Sequence, residues 1–214
     1  MASSSVVPPK EKYDVFLSFR GLDTRETFTS HLHAALVRRK VETYIDYRFE
    51  RGDEVGPALH REIKESKISL IIFSENYASS SWCLDEFAFI LKCKEKYRQL
   101  VIPIIYTVEP THVRHQTETY GTVFAEHEQR PKDKVAEWKK ALVEAANLSG
   151  FDSSSKTVRD DADLVEKVIS VVLAKLKREP SIDLTRLIGA EGRIQKILLE
   201  LHIIPDNFTI FLQT

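Results

Sequence analysis

Residues 70–87 read LIIFSENYASSSWCLDEF: an apolar run, a serine-rich loop, then apolar residues returning at helical spacing. The run Leu70, Ile71, Ile72, Phe73 has the length and composition of a strand buried on both faces. The loop over 74–81 is polar. From Trp82 the spacing of Leu84, Phe87, Ile90, Leu91 and Cys93 predicts a helix reaching about residue 97. The serines before it can cap the helix by accepting hydrogen bonds from free first-turn N–H groups. Asp85 and Glu86 suit the positive end of its dipole. Trp82 and Glu86 are four residues apart, so an aromatic ring and a carboxylate share one helical face. The residues alone leave open whether that pair forms a site or only complements the dipole.

The same alternation extends in both directions. Upstream, a strand over 13–18 is followed by a loop over 19–24, whose Gly21 permits a tight turn or close approach to a ligand. A helix carries Phe28, Leu32, Ala35 and Leu36 and closes near Arg39 and Lys40. A short strand over 43–45, a charged loop over 46–57 and a helix opened by Pro57 lead to a third strand over 68–73. Downstream, a fourth strand is expected over 100–106. Its Pro103 lacks a ladder donor and so belongs at a bulge or near the sheet edge. A loop over 109–121, a short helix over 122–129, a helix over 133–148, a brief strand over 149–151 and a helix over 163–176 follow. One more helical pattern spans 191–201.

Strands alternating with helices imply βαβ units with parallel strands and right-handed crossovers. The expected fold is α/β and flavodoxin-like: four or five parallel strands in the order 2-1-3-4-5, helices on both faces, and a C-terminal helical extension. In that order the topological switch point lies between strands 1 and 3, where ligands bind beyond the carboxyl ends. Those ends are residues 18–21 and 74–86.

Composition narrows the function classes. The 214 residues are 43% hydrophobic and 29% charged with a formal net charge of −1, which favours neither nucleic acid nor an acidic membrane as a partner. The two cysteines, Cys83 and Cys93, fall on one predicted helix about 15 Å apart along its axis, too far for a disulfide or a shared metal. No apolar run reaches membrane-spanning length, residues 1–12 lack the apolar core of a secretory signal, and Ala2 excludes myristoylation. The expected location is the cytoplasm, with the nucleus also open to it.

Several chemistries of this architecture are missing. No G-x-G-x-x-G follows the first strand, and no glycine precedes a lysine as in a P-loop. Phe73 and Ser74 stand where a phosphoacceptor domain would place an aspartate. His112 and His115 lack a third ligand nearby, so no metal is expected. Cys83 fits a small buried hydrophobe better than a nucleophile. What remains is Glu86 at the switch point, beside Trp82, with Arg20, Gly21, Arg51 and Gly52 on flanking loops. A carboxylate there can hold ribose hydroxyls and stabilise positive charge on the anomeric carbon of a departing glycoside.

Seven blocks in order then resemble the TIR (Toll/interleukin-1 receptor) domain of plant intracellular immune receptors: YDVFLSFRGLDTR over 13–25, FTSHL over 28–32, RGDE over 51–54, NYASSSWCLDE over 76–86, VIPIIY over 101–106, VRHQ over 113–116 and AANLSG over 145–150. The resemblance covers about residues 12–176. It implies a domain that cleaves the nicotinamide–ribose bond of NAD+, giving nicotinamide, ADP-ribose and cyclic or variant nucleotide signals in plant innate immunity. NAD+ would be substrate, and no cofactor is implied. The family's catalytic glutamate falls on Glu86, its pocket on Phe19, Arg20, Gly21, Trp82 and Cys83, and its mobile loop on Arg51 and Gly52. Ser30 and His31 match one self-association face, and Tyr120 and Gly121 lie near a second. Other TIR domains are thus implied partners. The alternative is a non-catalytic adaptor acting through TIR–TIR contact alone.

The chain departs from the pattern in places. Phe87 replaces a usual leucine, and Tyr47 a commoner acidic residue. Leu187, Ile188 and Gly189 resemble the lead into a nucleotide-binding domain, but 203–212 resembles nothing in the family. The expected organisation is a disordered lead over 1–11, a TIR domain over 12–176, and a linker with the start of a truncated nucleotide-binding region over 177–214.

Overall fold

Apolar runs too short for helices form a five-stranded parallel sheet at the centre of the computed structural model, which describes residues 9–46 and 56–177. Its strands are β1 (Tyr13–Phe19), β2 (Thr43–Ile45), β3 (Ser66–Phe73), β4 (Leu100–Ile105) and β5 (Phe151–Asp152), in the order β2-β1-β3-β4-β5. This is the topology expected from the alternation of strand and helix patterns. The expected helix over 191–201, the loop holding Arg51 and Gly52, and Tyr47 lie outside the described residues.

Side chains alternate between the two faces with the strand period of two. Phe16, Ile71, Phe73 and Ile105 point into one buried cluster. There they meet α3 (Pro57–Lys64), α4 (Ser81–Tyr97) and α7 (Lys132–Ala145) through Ile63, Phe87 and Trp138. Val15, Leu17, Leu70, Ile72 and Ile104 point into the other, against α2 (Ser30–Arg38) and α8 (Asp161–Lys175) through Leu32, Leu36, Val168 and Val172. Two cores on opposite faces are what a parallel sheet requires, since neither face can be left to water.

Local chemistry sets the ends of α4, the helix that follows β3. A 3-10 turn, Tyr77–Ser79, brings Ser80 to the cap position, and its Oγ accepts the Cys83 N–H at 3.2 Å. Of the serines that could cap this helix, Ser80 does so. At the other end Arg98 takes a left-handed conformation (φ 61°) and its N–H bonds the Lys94 carbonyl. Gln99 follows and donates to the carbonyls of Ile63 and Ser66 at 2.6 and 2.7 Å, tying the start of β4 to the turn between α3 and β3.

Pro103 stands where the sequence placed it. Only Ile104 and Ile105 of β4 pair with β5, so Pro103 borders an open stretch of sheet edge. Gly150 packs against it: a methyl group there would fall on the Pro103 carbonyl oxygen and within 2.6 Å of its ring Cγ. Gly150→Ala is expected to destabilise the domain by about 1–3 kcal/mol, the range for forced overpacking. A urea midpoint equal to the parent's would show that β5 simply shifts aside.

Three segments differ from expectation. The loop over 19–24 contains a helical turn, α1 (Gly21–Thr24), and a π-type turn, Arg25–Thr29, joins it to α2. A kink at Thr27 (φ −119°, ψ −112°) separates the two, and a buried contact of 2.8 Å between the Thr24 and Thr29 hydroxyls holds it. The loop over 109–121 contains α5 (Pro110–His115), started by Pro110 and ended by Gln116 at φ 49°. Then α6 (Glu118–His127) begins four residues before the expected start at 122. Tyr120 is therefore a helical core residue.

Candidate active site

Beyond the carboxyl end of β1, a cavity of about 530 Å³ opens between α1, the π-type turn and the first two turns of α4. Strand β1 supplies Leu17 and Phe19 to its wall. Asp46, following β2, closes one side, and Trp82, Cys83 and Glu86 of α4 form the other. The cavity thus sits at the carboxyl edge of the sheet beside the switch point.

Neighbouring carboxylates on α4 have been separated by the helix geometry. Asp85 points outward to α7, where its Oδ1 accepts the Trp138 Nε1–H at 2.9 Å and its Oδ2 pairs with Lys134 at 2.8 Å. Glu86, one residue on and about 100° around the helix, is 5% exposed and lines the cavity. Trp82, one turn earlier on the same face, lines it too and is half-buried. Of the two acidic residues that suit the helix dipole, Asp85 is a structural tie and Glu86 faces the hollow.

A relay of hydroxyls fixes this part of α4 to the sheet. Tyr77 donates its phenolic hydrogen to the Cys83 carbonyl at 3.1 Å, leaving its oxygen to accept from the Ser18 hydroxyl at 2.9 Å. Burial, helped by nearby Cys83 and Glu86, pushes the Tyr77 phenol well above its ordinary range, so it stays a neutral donor. The Cys83 thiol is buried and directed at the Phe19 carbonyl, 3.7 Å away. It therefore packs in the wall beside β1.

On the opposite wall Asp23 connects two loops. Its Oδ1 accepts from Arg20 Nη1 at 2.6 Å, while its Oδ2 accepts from the Ser74 hydroxyl at 2.5 Å and the Asn76 N–H at 3.1 Å. Arg20, expected in the pocket, has its guanidinium bonded to a carboxylate three residues on and is not among the residues that line this hollow. Arg25 reaches the cavity instead. Its guanidinium lies 5.2 Å from the Phe19 ring centroid and donates to the Asp46 carbonyl at 3.5 Å. It also rests on Gly21, where an added methyl would meet its Nη2 at 2.7 Å. The close approach that Gly21 permits is made by a side chain of the same chain. Asp23→Ala removes acceptors from three donors, and a loss of about 1–3 kcal/mol in stability is expected. The same variant is expected to lower any activity of the site, and unchanged melting and turnover together would refute this role for Asp23.

Phe19, Gly21, Trp82, Cys83 and Glu86 thus come together around one hollow, and Arg20 is bonded to Asp23 in its wall. Arg51 and Gly52 lie outside the described residues. Leu22, Asp23, Arg25, Glu26, Thr27 and Asp46 were not singled out from the sequence, yet all six line the hollow. The one available signal was the four-residue spacing of Gly21 and Arg25, which places both on one helical face. Ser30 and His31 are exposed at the start of α2, with Ser30 Oγ donating to the Thr27 carbonyl at 2.8 Å. Tyr120 is fully buried with its hydroxyl on the Ser74 carbonyl at 2.9 Å, and Gly121 is half-buried over the Gln116 carbonyl. A contact face near Tyr120 would have to be made by its exposed neighbours such as Thr122.

Comparison with known proteins agrees with the sheet order. The chain is 44% identical over 210 residues to the TMV resistance protein N of Nicotiana glutinosa, a match covering 95% of this chain and 18% of that protein. It is 41% identical over 202 residues to the disease resistance protein RPV1 of Vitis rotundifolia, covering 94% of this chain and 14% of that one. The chain therefore spans less than a fifth of the length of these relatives. Among solved structures it resembles the TIR domains of the activated Roq1 resistosome that recognises the effector XopQ, with a TM-score of 0.70 at 38% identity, covering 75% of this chain and 99% of that one. The sequence profile of the TIR domain matches residues 12–189, and with that extent of match the chain belongs to the TIR domain family.

Proposed function

We propose that the chain is an NAD+ glycohydrolase of plant innate immune signalling, with Glu86 as its catalytic carboxylate. The observation that carries this reading is the position of Glu86, buried at the carboxyl edge of the sheet in a cavity that Trp82 also lines. Nicotinamide leaves NAD+ as a neutral molecule, taking the bonding pair of the N-glycosidic bond and needing no proton. The positive charge of the pyridinium thereby moves onto the ribose as an oxocarbenium ion. A carboxylate held in that hollow stabilises the charge and orients the ribose hydroxyls. Water then adds to the anomeric carbon and loses a proton, giving ADP-ribose; capture by a ring nitrogen of the adenine gives a cyclic product. NAD+ is substrate throughout, and no cofactor takes part.

The relatives named as resistance proteins support a role in disease resistance, and the neighbouring resistosome structure supports action through assembled TIR domains. Release of nicotinamide by the purified chain, with Glu86→Ala alongside, tests the reading. Equal rates for the two proteins would remove it. The exposed Ser30 and His31 favour a second reading, a non-catalytic adaptor working by TIR–TIR contact. On that reading, cell death in leaves survives Glu86→Ala and is lost with His31→Ala.

A further inference from the structure

One residue at the cavity has a property that the rest of the wall lacks. Leu22 is 79% exposed, higher than any other large hydrophobic side chain among the described residues, yet it lines the same hollow as Glu86. Its place is fixed. Gly21 on one side packs under the Arg25 guanidinium, and Asp23 on the other is bonded to Arg20, Ser74 and Asn76. The backbone on both sides of the leucine is thus tied to its surroundings. The polar Arg25, Glu26 and Asp46 line the same cavity, as do Leu17, Phe19 and the half-buried Trp82. An apolar side chain presented to water on this turn, at a hollow with a tryptophan in its wall, suits a flat ring that enters from solvent.

We infer that Leu22 is a specificity-determining residue, packing against a heteroaromatic ring of the nucleotide bound in the Glu86 cavity. This inference rests on the NAD+ reading and names a contact within it. A hollow of about 530 Å³ accommodates a small molecule and not a folded partner, which is why a ligand ring is the occupant. NAD+ carries two such rings, the pyridine and the adenine. Both offer an apolar face.

Titration of NAD+ and of nicotinamide mononucleotide into Glu86→Gln, with and without Leu22→Asn, tests the contact without turnover. Leu22→Asn is expected to weaken NAD+ binding about tenfold, equivalent to about 1.4 kcal/mol, and Leu22→Met to restore it. Because Leu22 is exposed, the substitution leaves the fold intact, and matching melting curves verify this. Equal weakening for both nucleotides assigns the pyridine ring, and weakening for NAD+ alone assigns the adenine ring. Unchanged affinity overturns the inference, as does failure of the parent to bind either nucleotide. A change in sedimentation with no change in affinity also overturns it, placing a second copy of the chain on Leu22. Nicotinamide release by the chain with Glu86 intact, assayed alongside, reports separately on the glycohydrolase reading. Release that is intact while Leu22→Asn binds normally removes only the leucine contact.

Discussion

Glu86→Gln is expected to slow nicotinamide release about a hundred- to thousand-fold, while the melting temperature stays close to the parent's. The rate effect follows from charge. Glutamine keeps the shape and one acceptor oxygen of the carboxylate, but it cannot stabilise a developing oxocarbenium ion, and losing one such preorganised group is worth about that factor. The small stability effect follows from shape, since glutamine fills the same volume as the glutamate it replaces. Asp85 provides the contrast. Asp85→Ala leaves the Trp138 N–H without its acceptor and Lys134 without its partner. A loss of about 1–3 kcal/mol is expected from the orphaned buried donor, with little from the partly exposed ion pair. Activity per folded molecule is expected to fall far less than in Glu86→Gln. Adjacent carboxylates then give opposite phenotypes, one in rate and one in stability. Rates that fall equally in the two variants would sink the assignment of chemistry to Glu86.

Much of this arrangement was legible in the chain. Doubly buried strands such as β3 are nearly continuous apolar runs, so the strand over 70–73 followed from local pattern, and the order 2-1-3-4-5 from the alternation of strands with helices. Trp82 and Glu86 were placed on one face by helical spacing, and the structure brings both to the cavity. The errors share a cause. Residues 20–27 and 110–121 are rich in charged and hydroxyl side chains, so periodicity is weak there. Their helical turns are held by contacts to distant segments: Asp23 to Ser74 and Asn76, Tyr120 to the Ser74 carbonyl. No local pattern encodes a partner some fifty residues away. The same reason explains Arg20 and Arg25. Both are arginines beside one strand end, and nothing local to the sequence says that Arg20 bonds Asp23 while Arg25 lines the hollow.

Trp138→Ala is expected to be the most destabilising of these substitutions, at about 3–5 kcal/mol. The indole is fully buried and heads the large side chains of the core between the sheet, α4 and α7. His127 meets it edge-on at a centroid distance of 5.2 Å, and the Lys134 ammonium lies 5.6 Å from the ring. Removing it opens a cavity that three elements must collapse around. A loss of that size is a large share of the roughly 5–15 kcal/mol that stabilises a typical domain, so a measurable unfolded fraction at growth temperature is expected. Trp138→Phe separates packing from the hydrogen bond. It retains most of the apolar volume but removes the N–H that Asp85 accepts, and about 1–2 kcal/mol is expected, because Lys134 still balances the carboxylate. Urea midpoints of the two variants, combined with Asp85→Ala in a double-mutant cycle, read out the terms. If Trp138→Phe is as damaging as Trp138→Ala, the Asp85 bond and not volume fixes α7 on α4. In that case the orientation of the turn that presents Glu86 depends on a single hydrogen bond made on the far side of its own helix.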